Sequence, residues 1–431
     1  MDTAYQARER AHALTRAGMP PVIVIGGGNV TSAAVLRLLH RAGIPTYTLC
    51  ADSDFVAYSR WYRPLPGSGP DLAPHDLARL LASLSLESAV LLPCSDDWLI
   101  ATAALPESLA RRFPSSHASL PVVETLLDKW RLAQLLQSKA IPHPRTRLLT
   151  SIEQLDSLPS EDFLGAILKP PSSESFSAKF GVKGFLVDSR AQALRAMERL
   201  PFPIMLQEFI PGPPTAGYFI EGFIDRQGRV CALFARRRLR MYPPHLGNST
   251  FMVSVPLEEV AAASASLQFL LQTLSYRGTF SVEFKYDERD RSFKLLEINA
   301  RPWWYVDAPA RAGMDVCSMA YRDALELPIE PVTAYQAGHY LGFLPGDFHA
   351  WRYQRDCGGP GFWSWLRSWR GARSTPFCWN DPLPPLAFLW RRFANYIRHS
   401  GTRMTQLEAQ PSFPGLDLPV HSKGQNLAAR R

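Results

Sequence analysis

The sequence predicts an α/β protein that runs on into α+β. A doubly wound parallel N-terminal domain comes first, then a small α+β lobe, then a lobe built on a mixed sheet. Three stretches predict it. Pro21–Ile25 is a short apolar run that meets Gly26-Gly27-Gly28 and a helical pattern, which is the start of a βαβ unit. Around Val122 the pattern changes to an amphipathic helix and a proline-bounded linker. Thr279–Trp304 then gives two alternating apolar runs about a charged turn, an antiparallel hairpin.

The chain has 431 residues, enough for two or three domains, with 46% hydrophobic and 20% charged residues, as in ordinary globular proteins. The formal charge is +8, but no basic block interleaved with aromatics marks one face, which argues against nucleic-acid binding. Six cysteines are scattered singly without a C-x-x-C pair, which suits a reducing compartment and neither zinc nor disulfides. The polar N-terminus does not read as a secretory signal, and no run reaches the ~18 apolar residues of a spanning helix. A cytoplasmic protein is expected.

In chain order, Pro21–Ile25 is a strand, Val30–Arg41 a helix stopped by Gly43 and Pro45, and Thr46–Cys50 a second strand. The glycine turn lacks the third glycine of G-x-G-x-x-G, so a tight strand-to-helix turn is favoured over NAD binding and an oxidoreductase. A helix about Asp76–Ser85 leads to the strand Ala89–Pro93. Asp96 and Asp97 follow at its carboxyl end, where they either contact a substrate or serve a helix N-terminus. Thr125–Lys139 reads as one amphipathic helix carrying Asp128-Lys129, and Pro142-His143-Pro144 as a linker. Phe163–Lys169, a Ser-rich loop at 172–184, Phe185–Val187, a helix Arg190–Arg199 and Ile204–Ile210 form the small lobe.

A hairpin, Tyr218–Ala235, turns at Asp225–Gly228. The dense arginines of Arg236–Thr250 then read either as a solvated run or as an anion-binding edge, because guanidinium forks suit carboxylate and phosphate. A helix, Leu257–Leu274, precedes the second hairpin. Pairing Lys285 with Leu295 sets Glu283 opposite Glu297, and alternation puts Glu297, Asn299 and Arg301 on one face. Two carboxylates and an amide oxygen make a hard-oxygen Mg²⁺ site, or else ordinary surface charges. A helix covers about Val316–Glu326. Beyond Pro331, tryptophan, arginine and proline dominate, and the tryptophans either pack an appendage or meet a membrane surface, with packing favoured. Residues from about 401 read as a disordered tail.

Asp128-Lys129, Leu168-Lys169-Pro170, Gln207-Glu208-Phe209-Ile210-Pro211-Gly212 and Glu283…Glu297-x-Asn299-x-Arg301 stand in an order that resembles the ATP-grasp superfamily. Within it the chain is most similar to carboxylate–amine ligases such as D-aspartate ligases and to carbamoyl-phosphate-synthase-like proteins. The resemblance covers about residues 20–330 and implies a Rossmann-like pre-ATP-grasp domain (1–120) and an ATP-grasp domain (121–330). The latter divides into a lid lobe (about 145–210) and a catalytic lobe (about 211–330), followed by an appendage (331–400) and the tail (401–431). It also implies ATP with Mg²⁺ (or Mn²⁺). Lys129 and Lys169 would touch phosphates, Gln207, Glu208, Phe209 and Ile210 would hold adenine, and Glu283, Glu297 and Asn299 would ligate the metal. Arg301 and Arg240 would face the phosphoryl group and the acyl intermediate, with Asp96, Asp97, His245 and Asn248 toward the substrates. The activity implied is amide formation between a small-molecule carboxylate and an amine through an acyl phosphate, in a homodimer; a non-catalytic nucleotide-binding scaffold is the alternative.

Overall fold

The computed structural model describes residues 18–26, 30–49, 55–67, 72–172, 183–332, 334–375, 377–387 and 389–390. Gly27, Gly28, most of the Ser-rich loop, Cys50 and the 401–431 tail lie outside the described residues. Contacts divide the chain into two compact units, one holding residues 18–144 and 210–390, the other Arg145–Phe209.

In the first unit, β1 (Val22–Ile25) lies between β2 (Thr46–Leu49) and β3 (Val90–Pro93), all parallel. The helix Val30–Arg41 makes the crossover. Every β1 side chain is buried: Ile23 and Ile25 pack with Leu77 and Leu81, while Val22 and Val24 pack with Val35 and Leu39. Burial on both faces is why these strands read as unbroken apolar runs. Asp96 and Asp97 fall in the first turn of the helix Asp96–Ala103, where carboxylates favour the positive end of the helix dipole.

The stretch 120–138 differs from its expected single helix. Helices Leu120–Leu127 and Lys129–Ser138 are separated by Asp128 in an extended conformation. Asp128 Oδ1 accepts from the N–H groups of Trp130 (2.8 Å) and Arg131 (2.9 Å), so the side chain stops one helix and caps the next.

The second unit holds β4 (Thr146–Leu149), β5 (Ala166–Lys169), β6 (Phe185–Val187) and β7 (Ile204–Glu208), ordered β4-β7-β5-β6 and antiparallel throughout. β4 was not expected from the sequence, and β7 ends two residues short of Ile210. The helix Arg190–Met197 covers one face through Ala193, Ala196 and Met197.

The large sheet of the first unit is ordered β12-β11-β8-β9-β10-β13-β14. Its strands are β8 (Gly217–Ile224), β9 (Val230–Tyr242), β10 (Asn248–Val255), β11 (Gly278–Asp287), β12 (Ser292–Asn299), β13 (Tyr340–Gly342) and β14 (Arg373–Ser374). The arginine run is neither a solvated run nor a loop, since Arg236–Arg240 continue β9 at the middle of the sheet. Alternation sends Ile220, Phe280, Val282, Phe284, Leu295 and Ile298 into a core with the helix Ala261–Thr273. The opposite face carries the polar residues described next. Beyond β13, where no helix was read from the sequence, Leu344–Asp356 and Phe362–Ser368 are helical.

Candidate active site

The polar face is set by strand register. Glu283 of β11 lies directly opposite Glu297 of β12, and Ser281 opposite Asn299. The pairing of Lys285 differs from the expected one: it faces Lys294, because a bulge after Glu283 shifts the register by one residue and leaves Leu296 unpaired. The two glutamates still meet, since the bulge falls beyond them. On the other flank β8 sets Phe219 beside Glu283 and Glu221 beside Ser281.

Arginines of β9 project onto the same face. Arg238 Nη2 donates to Glu283 Oε1 at 2.8 Å and its Nε to Ser249 Oγ at 2.8 Å. Gly217 makes room for this reach, because a Cβ there would lie 3.3 Å from Arg238 Nη1. One step deeper, Arg236 donates through Nη2 (2.6 Å) and Nε (2.9 Å) to Glu221 Oε1, and its guanidinium lies 3.8 Å from the Phe219 ring centroid. Both members of that pair are buried, and Ser281 Oγ adds a third donor at 3.1 Å. These pairs form a charged floor under the carboxylates. Sequence reading missed Arg236, Arg238 and Glu221 because their partners are 15 to 45 residues away; the two-residue spacing of Arg236, Arg238 and Arg240 is the signal that was there.

Arg301 and Asp96, expected separately, come together: Arg301 Nε donates to Asp96 Oδ1 at 2.7 Å. Asp97 is exposed on the same helix. Arg240 faces away from the carboxylate pair, into a two-point ion pair with the buried Asp347, at 2.8 and 2.7 Å. Its Nε and Nη2 are thereby committed. His245 sits exposed in the β9–β10 turn with φ 69°; desolvation first, and then the Lys285 cation, hold its pKa below the usual histidine range. Asn248 opens β10, exposed and opposite Tyr242. Lys285, which sequence reading assigned no role, shares the face of Glu283, and burial with the Arg238 charge pushes its pKa down to about 8.

In the second unit, Lys169 ends β5 opposite Met205. Gln207 Nε2 donates to Thr146 Oγ1 at 2.8 Å. The N–H groups of Glu208 and Phe209 donate to the carbonyls of Arg145 and Gly165. Lys129 begins the helix capped by Asp128, and Ile210 is buried in the first unit.

Among the described residues no group of three or more His, Cys, Asp or Glu side chains forms a metal cluster. The hairpin supplies two carboxylates and one amide, hard-oxygen donors of the kind that suit a divalent cation.

No family model matches the chain. It is 24% identical over 226 residues to a D-aspartate ligase of Enterococcus faecium (strain Aus0004), a match covering 49% of this chain and 53% of that protein. The chain thus spans about half the length of this curated relative. Its structure is similar to an L-amino acid ligase from Bacillus licheniformis (TM-score 0.54, 16% identity, 72% of this chain and 75% of the other). It is likewise similar to carboxyaminoimidazole ribonucleotide synthase from Aspergillus clavatus in complex with ATP (TM-score 0.56, 16% identity, 74% and 80%). The chain has the ATP-grasp fold. Among the described residues no helix is long and apolar enough to cross a membrane.

Proposed function

We propose that the protein is an ATP- and Mg²⁺-dependent ligase that joins a carboxylate to an amine through an acyl phosphate. The observation that carries this reading is the facing pair Glu283 and Glu297, with Asn299 on the same polar face of an ATP-grasp sheet. The names of the two ligases it is similar to, a D-aspartate ligase and an L-amino acid ligase, support amino-acid-type substrates.

A substrate carboxylate oxygen attacks the γ-phosphorus, the bond to the ADP oxygen breaks, and ADP leaves. The amine lone pair then attacks the acyl carbon, phosphate departs, and the amine loses a proton. Glu283, Glu297 and Asn299 would hold the metal, which would supply charge neutralisation to the phosphates. Arg301, oriented by Asp96, meets the phosphoryl group with its remaining N–H donors. Arg238 holds the Glu283 carboxylate in place through its Nη2 hydrogen bond. Lys129 and Lys169 contribute point charges to the nucleotide phosphates.

The test is release of ADP and phosphate across a panel of amino acids, supplied singly and in pairs. Turnover that requires both a carboxylate and an amine is expected, and Glu297→Ala should lower it at least ~100-fold while leaving the circular dichroism spectrum unchanged. ATP binding without turnover for any pair would sink catalysis.

A further inference from the structure

Twelve of the eighteen large apolar side chains exposed among the described residues fall between Tyr340 and Trp390. The rest of the chain follows the usual pattern, so this concentration is specific to the appendage. Trp363, Trp379 and Trp390 are 77%, 86% and 68% exposed. Single exposed apolar residues need no explanation, but a connected set does.

Ring contacts connect part of it. Phe348, Trp351 and Phe362 touch in sequence, with centroids 5.4 and 5.5 Å apart, and Trp363 lies 5.4 Å from Phe362. Trp365 packs inward at the base of this cluster, donating its indole N–H to Asp347. The expected packing of the tryptophans therefore holds for Trp351 and Trp365 and fails for Trp363. Near residue 390 the helical pattern is inverted: Pro384 and Pro385 are buried, while Leu383, Leu386 and Trp390, at three- and four-residue spacing, face outward.

Charge identifies what this surface meets. Residues 340–390 hold five arginines and three aspartates, a net +2, and Asp347 is buried in its pair with Arg240. Arg352, Arg355, Arg367, Arg370 and Arg373 are all exposed; Asp356 is spent on Arg355 and Asp381 is buried against Ser59 and Arg60. Amphipathic indole rings beside guanidinium groups are what a bilayer interface with anionic headgroups accommodates. A second copy fits worse, since a self-complementary interface would bring the same arginines face to face.

We propose that residues 340–390 dock the protein on an anionic membrane surface, with Trp363, Trp379 and Trp390 entering the headgroup region. Docking is peripheral, for no described helix is long enough to span. The contact is also joined to the catalytic sheet, because Asp347, at the root of the aromatic cluster, holds Arg240 of β9.

Cosedimentation of the full chain with vesicles of phosphatidylcholine, and of phosphatidylcholine mixed with phosphatidylglycerol, tests this. Binding is expected only to the mixed vesicles and should weaken with added salt. Replacing Trp363, Trp379 and Trp390 together by Ser should lower the partition at least ~tenfold. Arg367→Glu with Arg370→Glu, which keeps every aromatic, should do the same and decides the matter if the serine variant does not fold. No binding to either vesicle, equal binding to both, or undiminished binding by the charge-reversed variant overturns the proposal. So does a dimer in light scattering that the serine variant converts to monomer, since the surface would then be a subunit contact.

Discussion

Arg238 and Glu283 stand 2.8 Å apart on neighbouring rungs of the polar face, and Glu283 in turn faces Glu297. Two carboxylates with roots about 5 Å apart repel each other unless a cation lies between or beside them. Arg238 is one such cation, and Lys285 shares the face. Arg238→Ala should therefore separate two roles. Losing the pair exposes the repulsion and should lower turnover ~10–100-fold, with most of the loss recovered by higher Mg²⁺ if the residue acts through Glu283. Gly217→Ala should mimic it more weakly, because a Cβ 3.3 Å from Nη1 forces the guanidinium aside. Activity measured against Mg²⁺ concentration distinguishes this from general unfolding.

Arg240 was expected to serve the phosphoryl group, yet it meets Asp347, a fully buried carboxylate that also accepts from Thr250 Oγ1 and the indoles of Trp365 and Trp369. Removing one member of such a pair strands a buried charge. Asp347→Ala should cost on the order of 3–5 kcal/mol in urea unfolding and shift the near-ultraviolet dichroism of the tryptophans. Arg240→Ala should behave alike. A variant with full stability and no turnover would return Arg240 to the reacting groups.

How far the sequence could be read follows from where each partner lies. The hairpin was legible because alternation is local: Phe280, Val282 and Phe284 face the core, so Glu283 must face away. The bulge at Leu296 was not, as no glycine marks it and it moves only the residues outward of Glu283. Arg301 and Asp96 were each legible as charged residues near a strand end, but 205 residues separate them, and only the fold joins them. The arginine run stayed open between a solvated stretch and an anion-binding edge because charge density alone does not locate it in the sheet. What brings these arginines into the sheet is the carboxylate each guanidinium reaches: Glu221 for Arg236, Glu259 for Arg237, Glu283 for Arg238 and Asp347 for Arg240.

Asp128 offers a smaller and cleaner test. Its carboxylate caps the helix that begins at Lys129, so Asp128→Ala should cost ~1 kcal/mol, while Asp128→Asn, which keeps the accepting oxygen, should cost less than half of that. Thermal unfolding of the two variants checks the order. If Lys129 acts on the nucleotide, the KM for ATP should rise in step with the lost stability, because the same cap orients the first helical residue.

Lys285 gives the pH dependence. Burial and the neighbouring Arg238 lower its pKa to about 8, against 10.5 for the unfolded chain, with Glu283 and Asp287 opposing the shift. The native state therefore binds fewer protons than the unfolded state between those two values, and stability rises with pH across that window. Below about pH 8 the ammonium is charged in both states and its cost is fully present. Lys285→Met removes the charge and should stabilise the protein at pH 7 by on the order of 1–3 kcal/mol, with the advantage shrinking toward pH 9.5. Denaturant midpoints for wild type and variant at the two pH values read this directly. A bound polyanion would reverse the balance, since phosphate oxygens near Lys285 favour its charged form. The stabilisation conferred by ATP should then be smaller in Lys285→Met than in wild type at pH 7; equal stabilisation in the two proteins would place the nucleotide away from this lysine.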